Sequence, residues 1–220
     1  MRAQLSDDAP GPTGAEVGED SGLPDDERLV RKVQGLYINE DYKGCIQLLA
    51  TLRPTDNDKV LEKAQYYAAL ARLRSLEQSK LRGEVLNLDD VSAAEHAFQY
   101  FLEHRNGSSL ASTVYYWLGQ FYLQIKGDKE SSLKIFDDIV EHRAYSDWIQ
   151  GSLYYSGILH HQLGTETDKR LAVERMQLLG RIDRSLRIAE TGRDVDAATA
   201  AEQILKAWGV EAGPSSRGRE

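Results

Sequence analysis

The residues with chemistry to offer are few: one cysteine, five histidines, a run of arginines and three tyrosine pairs in a 220-residue sequence. Cys45 occupies a small-residue position on an apolar helix face, where burial keeps a thiol protonated and packing outweighs nucleophilic chemistry. His160 and His161 are adjacent, so on a helix their side chains diverge by about 100° and share no metal-binding face. His104 and His142 each close an identical Glu-His-Arg-bounded segment, so their recurrence is explained by structure alone. No HExxH, GxxxxGK[ST], GxSxG or GxGxxG motif occurs. No catalytic residue, cofactor or metal is therefore expected. Arg175, Arg181, Arg184 and Arg187, with Lys169 and Arg170, form a basic strip that suits an anion or acidic peptide. Glu174 and Asp183 interrupt it, which equally suits a solvated face.

The elements that must position these residues follow from an internal repeat. Asp90, Ala94, Phe98, Phe101 and Glu103-His104-Arg105 recur as Asp128, Ser132, Phe136, Ile139 and Glu141-His142-Arg143. Asp41, Cys45, Leu49 and Leu52 give a weaker copy. Each is a helix that opens at an acidic cap, carries a small residue and then large apolar ones on one face. Tyr66-Tyr67, Tyr115-Tyr116 and Tyr154-Tyr155 open a second helix type, with Ala69, Gly119 and Gly157 following. Between Leu29 and Gly213 the only proline is Pro54, so the folded region reads as all-α. The spacing predicts helix pairs over 28–38 and 41–52, 58–77 and 90–104, 110–125 and 129–142, and 147–163 and 168–188. Thr55 or Asp56 is expected to cap the third helix, and Asp147 to open a capping box. A last helix over 194–208 should end at Gly209 and cap the stack.

These residues resemble the tetratricopeptide repeat family over about 28–180. In 115–141, Tyr115, Leu118, Gly119 and Tyr122 fall on its first-helix signature positions. Gly127-Asp128 falls on its inter-helix turn, and Ser132 and Phe136 on its second-helix positions. The resemblance implies a solenoid of about four stacked hairpins plus the capping helix. It also implies that Tyr66, Tyr115 and Tyr154 face the core while Tyr67, Tyr116 and Tyr155 face a concave groove. Arg74, Gln120, Gln124 and Gln162 follow on that nominal face. The rival reading packs the second tyrosines between adjacent helices.

Charge divides the chain unevenly. The net charge is −8, and the first 28 residues carry −6 of it along with three of the five prolines. Residues 1–27 and 213–220 therefore read as disordered tails around a repeat domain, 28–190, and a capping segment, 191–212. An acidic chain attracts neither nucleic acid nor an anionic membrane. No run approaches the ~20 apolar residues of a membrane span, and the first residues do not resemble a signal peptide, so a cytoplasmic protein is expected. The function expected is a non-enzymatic adaptor or scaffold holding a peptide or partner helix in its concave face. The alternative is a permanent structural subunit that uses its convex or end surfaces.

Overall fold

The computed structural model describes residues 23–53, 55–143, 147–182, 185–188 and 193–210. The tails expected at 1–27 and 213–220 lie outside them, apart from residues 23–27. The described chain is all-helical but for two short strands, and it divides into two compact units that meet in sequence at Lys126–Gly127.

The first unit holds α1 (Asp25–Ile38), α2 (Tyr42–Leu49), α3 (Asp58–Leu81), α4 (Leu88–His104) and α5 (Ala111–Phe121). α5 runs on into a π-helical turn, Tyr122–Lys126. Helix α1 packs on α2 and α3, and α2 packs on α3; α3, α4 and α5 repeat the same neighbour pattern. Helix α1 starts before the expected domain boundary. Asp25, Asp26 and Glu27 form its first turn, where negative charge suits the helix dipole. Two of them also reach the start of α3: Thr55 Oγ1 donates to Asp26 at 2.6 Å and Asn57 Nδ2 to Glu27 at 3.2 Å. The cap of α3 is Asn57, which accepts from the Val60 amide, not Thr55 or Asp56; Thr55 Oγ1 instead accepts from the Asn57 amide at 3.1 Å, before the helix begins.

The second unit holds α6 (Lys129–His142), α7 (Ile149–Leu163), α8 (Glu166–Leu179), strands β1 (Ser185–Ile188) and β2 (Arg193–Asp196), and α9 (Ala197–Ala207). Helix α7 packs on both α6 and α8, and α8 on α9. The helix expected over 168–188 is cut short: Gly180 caps α8, and 185–188 pairs antiparallel with 193–196, Leu186 opposite Val195. The N-cap position of α7 is Trp148, one residue after the Asp147 expected to open the helix. Gly209 does end the last helix. At φ +74° it occupies the left-handed region, and the amides of Gly209 and Val210 donate to Lys206 and Leu205 at 3.1 and 2.9 Å.

The repeated faces coincide. Ala94, Phe98 and Phe101 on α4 and Ser132, Phe136 and Ile139 on α6 are all fully buried, as is Cys45 on α2. Asp41 and Asp128 cap their helices through bonds to Gly44 and Ser131, whereas Asp90, expected to do the same, lies in the first turn of α4, which Asn87 caps. Among the described residues no helix is long and apolar enough to cross a membrane.

Candidate functional site

The tyrosines depart from the register the family resemblance implies: Tyr154 is buried as expected, but Tyr116 and Tyr155 are buried as well, and Tyr66 and Tyr67 are both half-buried. Tyr155, expected in a groove, is 1% exposed and stacks on Phe136 with ring centroids 5.4 Å apart. Tyr116 is 4% exposed and its hydroxyl accepts from Gln120 Nε2 at 3.1 Å. Tyr115, expected in the core, is only half-buried. In a helix, neighbouring residues point about 100° apart, so a one-position difference in where the next helix packs exchanges the two roles in the Tyr115–Tyr116 pair. Gln120 is fully buried beside Tyr116, and Arg74 is buried too. These four residues are core, and a groove built on them is corrected accordingly. Of the remaining expected partner-binding residues, Tyr67 and Gln124 are half-buried and Gln162 is exposed, accepting from Lys129 Nζ at 2.8 Å.

Arg74 explains much of the first unit's inner packing. Its guanidinium lies 4.2 Å from the Trp117 ring centroid and 2.8 Å from Glu77. Burial opposes its charge, but Glu77 and the Tyr37 hydroxyl more than offset this, so the group titrates well above its ordinary value. Tyr37 in turn packs on Tyr42 and Tyr67, at 5.3 and 5.5 Å. An arginine and its aromatic neighbours thus tie α1, α3 and α5 into one block.

The basic strip also dissolves. Arg175 is buried on α8, with Nη2 3.0 Å from Glu141 and 3.5 Å from Asp137 on α6. Arg181 is exposed beyond the end of α8, Arg184 lies outside the described residues, and Arg187 belongs to β1. Because the helix ends at Leu179, these arginines share no helical face.

The accessible surface with binding character lies elsewhere. Leu81, Val85 and Leu88 are 88, 97 and 82% exposed; Leu81 closes α3, Val85 lies in the connection and Leu88 opens α4. The connection is not slack. Gly83, at φ +71°, lets the amides of Gly83 and Glu84 donate to Lys80 and Ser79 at 3.0 Å each. Arg82 Nε bonds Glu84 at 2.6 Å, and Asn87 caps α4. Lys80 Nζ bonds the Gln124 carbonyl, anchoring the end of α3 to the turn after α5. Behind the connection lies a groove of about 400 Å³ between α2, α3 and α4, lined by Lys43, Arg72, Leu76, Glu84 and Asp90 among others. Its charges are mixed, so it favours no single sign of ligand. In sequence this segment shows only as a length between two helices, and nothing in its periodicity marks its apolar residues as exposed.

Reactive groups are held inert. The Cys45 thiol, which donates to the Val33 carbonyl at 3.3 Å, is pushed up to about 11 by burial and then by the nearby Asp41 charge. Ser156 is buried and donates to Asp137 at 2.6 Å. Among the described residues no group of three or more His, Cys, Asp or Glu side chains could hold a metal ion. Comparison with protein-family models, curated proteins and solved structures finds no match for this chain.

Proposed function

We propose that this chain is a non-enzymatic interaction scaffold of the tetratricopeptide-like kind, which docks an apolar segment of a partner protein on the α3–α4 connection. The single observation that carries the reading is the nearly complete exposure of Leu81, Val85 and Leu88 on a hydrogen-bonded connection. Burying a leucine or valine side chain contributes roughly 1.5–3 kcal/mol. Three left in water on an anchored segment are a binding surface of hot-spot size. The repeated neighbour pattern of α1–α2–α3 and α3–α4–α5 supports stacked hairpins as the framework. Three side chains fall short of the area an obligate interface needs, which favours a reversible adaptor over a permanent subunit.

The test is the triple variant L81S/V85S/L88S. Its urea midpoint should match the parent, because exposed substitutions usually change stability by less than about 0.5 kcal/mol. Proteins that cross-link to the parent chain in cells should be lost from the variant. Identical cross-linking partners for both chains would sink this reading, whatever the stability.

A further inference from the structure

Three helices of the second unit meet at one buried imidazole. His160, on α7, has a side chain only 8% exposed. Its Nε2 lies 3.0 Å from Asp137 Oδ2 on α6, and its Nδ1 lies 2.8 Å from Asp168 Oδ1 on α8. Both carboxylates are held in place by other donors. Ser156 Oγ donates to Asp137 Oδ1, and Arg175 Nη2 stands near that same oxygen while bonding Glu141. The Thr165 hydroxyl donates to the far oxygen of Asp168. That bond first, and the one from His160 next, hold the Asp168 carboxyl below its usual range, so it is an ionised acceptor.

A neutral imidazole has one N–H and one lone pair. Placed here, it would turn the lone pair toward a carboxylate oxygen about 3 Å away, a repulsive arrangement in a water-poor site. Only the doubly protonated ring donates to both aspartates. We propose that His160 is a pH-operated latch, fastening α7 to α6 through Asp137 and to α8 through Asp168 while protonated, and releasing one of the two when it loses a proton.

Among the described residues, the charged groups paired with the ring or with its aspartates are Asp137 from α6 and Asp168 and Arg175 from α8, with Glu141 from α6 on the far side of Arg175. From β1, which also packs on α7, the described side chain is the apolar Leu186. On α9, Trp208 stacks on the neighbouring His161 at 4.1 Å. One arginine balances three carboxylates, so the proton on His160 reduces a local excess of negative charge.

Nitrogen-15 NMR on the full chain reads the ring directly. At pH 7 both ring nitrogens of His160 should be protonated; a single N–H would overturn the proposal. Hydrogen exchange supplies the consequence. Corrected for intrinsic rates, amide protection in α7 and the first turns of α8 should fall roughly tenfold between pH 6 and pH 9, as expected for one lost bond to a charged group. The variant H160Q should show a flat profile over that range. Should H160Q fail to fold, the two measurements on the parent chain still decide, and parental protection that does not change with pH would also overturn the latch.

Discussion

Two tyrosines that look alike in sequence should behave oppositely on substitution. Tyr155 is enclosed, stacked on Phe136 and edge-on to Tyr154, so Tyr155→Ser removes a buried ring that its neighbours cannot refill. Large-to-small changes of this kind cost roughly 3–5 kcal/mol. Tyr67 is half-buried at the margin of the Tyr37 cluster, and Tyr67→Ser should cost no more than about half as much. Urea midpoints of the two variants check this, and equal losses would contradict the burial difference between them. The sequence marks tyrosine pairs at the start of each first helix, which is local information. Which member faces inward depends on where the partner helix sits, and no spacing within the pair carries that. Arg175 was illegible for a related reason. The acids that neutralise it, Asp137 and Glu141, lie on α6, more than thirty residues earlier, and only the α6–α7–α8 packing brings them together.

At the scale of elements, most helix ends were legible to within about four residues because apolar periodicity is local, the exception being the helix expected over 168–188, which ends at Leu179. The α4 and α6 faces repeat with a period of 38 and are buried position for position. The β1–β2 hairpin was not legible: its strands are four residues each, with no alternation long enough to outweigh the helical pattern before them. One helix end departs from the preferred chemistry. At the close of α1, Glu40 takes φ +60°, the only non-glycine residue in the left-handed region among those described. The amide of Asp41 reaches back to Leu36 at 2.9 Å and that of Glu40 to Tyr37 at 3.0 Å, the geometry glycine provides at Gly83 and Gly209. Left-handed backbone costs a side-chain-bearing residue about 1–2 kcal/mol. Glu40→Gly should therefore stabilise the chain by about 1 kcal/mol, since Gln78 bonds only the backbone carbonyl of this residue. The measurement is a urea midpoint, and a value equal to or below the parent's would count against strain at this position.

For the molecule as a whole, stability in stacked helices is a sum over neighbours, so an end element matters for what it covers. Helix α9 covers α8. Ala197, Ala200, Ala201 and Leu205 are buried on it, Ala201 lies close over Gly180, and Trp208 stacks on His161 of α7. Removing residues 194–220 would withdraw that cover and the partner strand of β1 together. The lost burial, one leucine and several alanines, is worth roughly 3–5 kcal/mol, a large share of the 5–15 kcal/mol that holds a typical chain folded. The net charge of −8 opposes association in general, but that repulsion is spread over the chain and screened by salt. The truncated chain should therefore self-associate, with a sedimentation coefficient that rises with concentration and a lowered urea midpoint. A truncation that stays monomeric and equally stable would mean that α8 needs no cover, and that α9 is an appendage of the stack.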